Sequence, residues 1–190
     1  MSVRFCAFGK LGWGKTLSVV IEAMAYHEAN PDLPIYSNIP LLTVPYRKID
    51  SPAVLFDINE PCFLLMDELW HLADSRRGQL IGNDVVTMLL IRSRKKKWVV
   101  GYTEQFITQT DLRIRYITDY WIAPKMKGDF LKEAIYTVDP MTDETVFVRN
   151  RRYDGSAFFG DYDHEADPFT LNMTQLKWLW HKFQRDRGAE

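Results

Sequence analysis

Residues 9 to 16 read Gly-Lys-Leu-Gly-Trp-Gly-Lys-Thr, which is the spacing G-x-x-x-x-G-K-[ST]. The residue types suit phosphate chemistry. Gly9, Gly12 and Gly14 let the backbone turn tightly and bring its N–H groups against phosphate oxygens. Lys15 has the reach and charge for β- and γ-phosphates, and Thr16 offers a hydroxyl to Mg²⁺. Lys10, Trp13 and Leu17 complete the stretch expected to touch a nucleotide. Trp13 is open to three readings: stacking on a base, facing a partner subunit, or simple packing.

A second group follows at Phe63-Leu64-Leu65-Met66-Asp67-Glu68, four apolar residues and then two carboxylates. Asp67 at a strand end is placed to hold Mg²⁺, usually through water. Glu68 beside it is placed to orient and deprotonate an attacking water. Gln105 has the chemistry of a γ-phosphate or water sensor, with Glu104 as an alternative. Arginines are needed where charge builds up in phosphoryl transfer. Arg76, Arg77, Arg92, Arg94, Arg113 and Arg115 are the candidates for a finger reaching a neighbouring subunit, and Arg94 is the one taken as catalytic. The run Arg92-Ser93-Arg94-Lys95-Lys96-Lys97 also suits contact with DNA phosphates. Its other reading is dipole complement at a helix end. The four histidines lack a partnered constellation and receive no chemistry, and no Cys/His metal spacing is present.

These side chains need elements to hold them. The apolar run Val3 to Phe8 reads as a strand leading into the loop, and Leu17 to Ala29 as the helix that follows it. A turn at Asn30 to Pro34 precedes a short strand at residues 35–38. Three prolines (Pro40, Pro45 and Pro52) make residues 39–60 irregular. The unalternating apolar runs at 62–66 and 98–103 read as strands covered on both faces. Asp84 is expected to cap a helix over 85–96, and 107–117 reads as another helix. Asp119 to Pro124 gives a strand. Ala134 to Val138 and Thr145 to Asn150 form a hairpin around residues 140–143. A last helix is expected over 173–185, with Leu176, Leu179, Trp180 and Phe183 at helical spacing.

Strands alternating with helices imply an α/β domain with a mostly parallel central sheet, right-handed crossovers and a ligand at the carboxyl edge. Gly9, Asp67 and Gln105 all fall at that edge. One domain spans 1–190, with a core of about 1–132 and a β-hairpin and helix extension over about 133–190. The composition is that of a folded domain, 46% hydrophobic and 26% charged. A net charge of −1 argues against a chain-wide cationic surface but leaves room for a local one. Cys6 and Cys62 lie in apolar runs, so buried reduced thiols and a cytoplasmic setting are expected. No signal peptide is expected, because Arg4 and the glycine loop interrupt the first apolar stretch, and no run reaches the length a transmembrane helix needs.

Together these pieces resemble the Zot-like (zonula occludens toxin) branch of the FtsK–HerA P-loop ATPases. The resemblance rests on the loop at 9–16, on Ile35-Tyr36-Ser37-Asn38-Ile39-Pro40, and on Leu64 to Glu68 with Ser75-Arg76 following. It continues in Arg94 followed by Trp98 to Gln105, and in Tyr162-Asp163-His164-Glu165. It implies ATP hydrolysis with Mg²⁺ and ring homo-oligomers, usually hexamers, that move DNA or package viral genomes. A viral structural or membrane protein is a further implied partner.

Two other readings stand beside it. Lys10 gives Gly-Lys-x-Gly-x-Gly-Lys-Thr, close to the deviant loop of ParA/MinD-like positioning ATPases, although Leu11 replaces that motif's glycine. A non-motor assembly switch driven by ATP is the third.

Overall fold

Alternating side chains explain why the central strands are buried on both faces. In β1 (Val3–Phe8) Phe5 and Ala7 join one core while Cys6 joins the other. In β4 (Phe63–Met66) Phe63 and Leu65 point to the first side, Leu64 and Met66 to the second. Helix α1 (Lys15–Ala29) fills the first side with Val19, Val20 and Ala23. The second side is covered by Leu55 of α2 (Pro52–Asp57), by Val86, Leu89 and Leu90 of α3 (Leu80–Lys96), and by Ile114 of α4 (Leu112–Ile117). Burial of this apolar surface on both faces is the main stabilising term. The computed structural model describes residues 2–69, 80–107 and 110–166, with positions 178, 181 and 185.

The remaining strands are β2 (Ile35–Ser37), β3 (Arg47–Lys48), β5 (Val99–Glu104), β6 (Tyr120–Lys127), β7 (Phe130–Val138) and β8 (Thr145–Asp154). They form one eight-stranded sheet in the order β3-β2-β4-β5-β1-β6-β7-β8. The six strands from β3 to β6 run parallel. β7 and β8 are antiparallel and extend the sheet beyond β6. This is the expected α/β architecture. The extension does not form a sheet of its own, and the boundary expected near residue 133 falls inside β7.

Three local expectations change. Residues 39–60 hold β3 and α2, the latter with Pro52 in its first turn, where proline is tolerated. Asp84 lies within the described span of helix α3 and pairs with Arg113 at 2.7 Å instead of capping. Packing of Val86, Leu89 and Leu90 outweighs the poor helix propensity of Gly82 and Asn83. Helix α4 starts at Leu112, where Asp111 accepts the Arg113 N–H at 2.8 Å as the cap. Of the helix expected at 173–185, only Trp178, His181 and Arg185 are described, and each is helical. Ser75, Arg76 and Arg77 lie outside the described residues. Cys6 and Cys62 are buried free thiols, as expected. No described helix is long and apolar enough to cross a membrane.

Candidate nucleotide-binding site

The loop at 9–16 leaves β1 at the carboxyl edge of the sheet. Its entry is pinned to β5, where the Gly9 N–H donates to the Glu104 carbonyl at 3.3 Å. Gly14 occupies the N-cap position of α1 at φ 88, and no side chain caps the helix. The first-turn N–H groups therefore remain available for an anion, in the field of the helix dipole. A Cβ at Gly14 would lie 2.8 Å from Leu131 Cδ1 and 3.1 Å from Met126 Cγ. Glycine is thus required by its backbone conformation and by the β6–β7 ribbon pressed against the loop. The Trp13 ring packs over Gly9, where a Cβ would sit 2.7 Å from Cε3. The exposed Lys10 ammonium lies 5.9 Å from the centre of the same ring. Packing is what the structure shows for Trp13.

Lys15 donates to the Lys10 carbonyl at 3.3 Å. Burial lowers its pKa, and the nearby Asp67 and Glu68 carboxylates oppose that shift. The Thr16 hydroxyl donates to both oxygens of Asp67, at 3.1 and 3.2 Å. Thr103, near the end of β5, donates to Asp67 Oδ1 at 2.7 Å and accepts the Glu68 N–H at 2.7 Å. Burial raises the Asp67 pKa, while the Thr103 and Thr16 hydrogen bonds pull it down. Glu68 has φ 54, an uncommon conformation for a side-chain-bearing residue, and its bond to Thr103 helps hold it.

Asn38 explains the segment after β2. Its amide brackets the Asp67 backbone, donating to the carbonyl at 2.9 Å and accepting the N–H at 2.7 Å. The chain then runs to Leu41, which bridges to Tyr162. Leu42 N–H donates to the Asp161 carbonyl at 2.7 Å, and Asp163 N–H to the Pro40 carbonyl at 3.3 Å. The two segments flagged at 35–40 and 162–165 therefore meet in space and close one side of the site.

A cavity of about 310 Å³ lies between these groups. Gly12, Gly14, Lys15, Thr16, Asp67 and Glu68 line it, and Leu17 contributes while its side chain packs against Ile21 and Leu131. Thr103, Met126 and Phe159 also line it without a signal in the sequence, and Tyr162 lines it from the segment at 162–165. Phe159 arrives just before the 162–165 segment, which the sequence marks only through the resemblance. A larger cavity of about 580 Å³ runs along α1 at Tyr26, Ala29, Tyr120 and Ile135. It includes none of the loop residues, so the smaller one is the candidate site.

Gln105 stands just past β5 at the same edge, half-buried, and does not line the cavity. Arg94 lies at the opposite edge. It is exposed in the last turn of α3, shortly before β5 begins, whereas the loop lies where β5 ends. Arg94 is therefore away from this chain's own cavity. Arg92 is occupied within the chain, donating to the Phe56 carbonyl at 3.3 Å and lying 5.8 Å from the Trp98 ring centre. Arg113 pairs with Asp84 and Asp111, and Arg115 with Asp143 at 3.4 Å.

The side-chain oxygens at the cavity include those of Thr16, Asp67 and Glu68, a hard donor set that suits Mg²⁺ completed by phosphate and water. A strand, glycine loop and helix, with a carboxylate on the second strand over, define the class: an α/β domain of the P-loop NTPase fold. Comparison with solved structures shows the same fold. The N-terminal domain of zonular occludens toxin from Neisseria meningitidis superposes with a TM-score of 0.54 at 14% identity, covering 85% of this chain and 99% of that one. The genome packaging NTPase B204 from Sulfolobus turreted icosahedral virus 2, in complex with ATP-gammaS, gives 0.52 at 10% identity, covering 78% and 97%. The same protein with AMPPCP gives 0.51 at 9% identity, again covering 78% and 97%. No protein-family model and no curated protein matches the sequence.

Proposed function

We propose that the chain binds ATP with Mg²⁺ and hydrolyses it, as a Zot-like motor in viral or plasmid DNA packaging, translocation or virion assembly. The observation that carries this is the set Lys15, Thr16, Asp67 and Glu68 around one cavity at the carboxyl edge of the sheet. The backbone of the loop and Lys15 receive the phosphates, which offset the burial cost of the Lys15 charge. Thr16 and Asp67 would hold Mg²⁺, which when bound neutralises phosphate charge. Glu68 faces the same space and accepts a proton from water. Gln105 at the strand end remains the candidate sensor. Arg94, or Arg76 or Arg77, supplies the positive charge from a neighbouring subunit of a ring. The two structural neighbours support the assignment, since one is a genome packaging NTPase solved with ATP analogues.

The test is ATP hydrolysis by the full chain, with and without duplex DNA. Glu68→Gln should lower turnover about 10²–10⁴-fold while ATP binding persists. Stimulation by DNA that vanishes in the variant supports a motor. Hydrolysis indifferent to DNA would shift the reading to an assembly or positioning switch. Absence of ATP binding would sink it.

A further inference from the structure

The antiparallel ribbon β6–β7–β8 has two unlike faces. Met126, Leu131 and Glu133 point toward the glycine loop and α1. On the other face Lys125 stands directly opposite Lys132, and Lys132 opposite Arg152. Strands lie ~4.8 Å apart, so the three cations form a row about 10 Å long. All three are exposed, and none forms an ion pair among the described residues. Like charges placed directly opposite destabilise a sheet. A groove of about 580 Å³ runs along this row, floored by Ala123 and Ala134 and flanked by Asn150. The Arg152 guanidinium lies 4.0 Å from the Phe130 ring centre, which holds it across the groove. Lys127 lies on the same face one row away, opposite Phe130 and then Asp154. The Asp154 carboxylate is engaged by the Ser156 N–H at 3.1 Å and hydroxyl at 2.6 Å.

We infer that this groove binds the phosphate backbone of duplex DNA, without reading sequence. Three adjacent cations with a flat, small-residue floor are complementary to a polyanion that lies across the strands. The choice of DNA as the polyanion rests on the proposed function above. The position adds a mechanical consequence. DNA on this face is one sheet layer from Gly14, which touches Met126 and Leu131 of the same ribbon. A shift of the ribbon on either side is felt on the other.

The experiment is a salt titration of duplex DNA binding by the full chain, read by fluorescence anisotropy with a labelled duplex of random sequence. Lys125→Ala/Lys132→Ala/Arg152→Ala should weaken binding about tenfold or more and flatten the log–log salt slope by about 0.9 for each phosphate left without its cation. Lys132→Ala alone should give a partial loss and serves if the triple variant fails to fold. ATP-analogue affinity should match the parent chain, and the thermal midpoint should be no lower, since facing like charges are relieved. Lys95→Ala/Lys96→Ala, at the opposite edge of the sheet, should leave duplex affinity unchanged. The inference is overturned by parental duplex affinity in the ribbon variants, by loss confined to the α3 variant, or by polyglutamate displacing DNA as well as unlabelled duplex does. A parent chain that binds ATP analogue but no duplex overturns it while leaving the nucleotide site standing. A chain that binds duplex but no nucleotide does the reverse.

Discussion

The parallel half of the sheet and the antiparallel ribbon beside it carry different kinds of information. In the parallel half, β1, β4 and β5 are mostly apolar on both faces, and the candidate site residues lie where the strands end. In the ribbon, the faces of β7 alternate, with Leu131, Glu133 and Ile135 inward and Lys132 outward. The first half supplies phosphate-handling groups of a general kind. The ribbon supplies the packing beneath Gly14 and a buried polar lock onto α1. That lock joins Ser18 and Glu22 of α1 to Glu133 and Arg151. Ser18 donates to Glu133, Arg151 Nε donates to Glu133 Oε2 at 3.0 Å, and Arg151 pairs with Glu22 at 2.5 Å. The candidate phosphate-handling groups and the packing that supports their loop therefore lie on separate strands that meet at α1.

Breaking the lock should have the largest effect on stability. Arg151→Met leaves Glu133 buried and Glu22 without that partner. Loss of one member of a buried pair costs about 3–5 kcal/mol, or roughly 6–20 °C in thermal midpoint for a chain of this size. The measurement is thermal unfolding at neutral pH. A change under about 1 kcal/mol would mean that the ribbon is not held to α1 by this network.

A smaller and more selective effect separates the two halves. Leu131→Ala opens a cavity under Gly14 and should cost about 2–5 kcal/mol, as should Leu55→Ala in α2. Both leucines are fully buried. The comparison is in ATP-analogue affinity of the folded fraction. Leu131→Ala should weaken it several-fold, because the loop loses its support. Leu55→Ala should leave it unchanged. Equal affinities in the two variants would break the proposed division of labour.

The difference between the halves also accounts for what the sequence makes legible. The loop at 9–16 and the Asp67-Glu68 pair are readable because each combines a local spacing with a flanking apolar run. The parallel sheet follows from strands without alternation. Asn38 is visible only as part of a segment, since its role, bracketing the Asp67 backbone, depends on β2 and β4 being neighbours. Thr103 falls within a strand whose apolar pattern gives it no role. Tyr162 and Phe159 reach the cavity through a bridge to Leu41 that no local pattern encodes. Lys125 and Lys132 sit on different strands, and they become a row only through the register of the hairpin. The conspicuous basic run at Arg92 to Lys97 points to the wrong edge for a cis role in catalysis.

The smallest effect tests the lock through its charge. Burial raises the Glu133 pKa, with Glu22 adding to the rise, while the Ser18 hydrogen bond and the Arg151 charge oppose it. Between the ordinary glutamate value and this raised one, the folded chain keeps a proton that the unfolded chain has released. Stability from this group therefore falls as pH rises through that window and is constant above it. Glu133→Gln keeps an acceptor for the Ser18 hydroxyl and removes the titration. Thermal unfolding at several pH values should show a flatter slope on the acid side for the variant. At neutral pH the change should be about 1 kcal/mol or less, because the lost pairing with Arg151 is offset by relief of carboxylate burial. The Arg151→Met deficit should shrink as pH falls through the same window, since a protonated Glu133 no longer needs its partner. A deficit independent of pH would assign the role of Arg151 to Glu22 alone. The ribbon would then be held to α1 by one partly exposed pair instead of a buried lock.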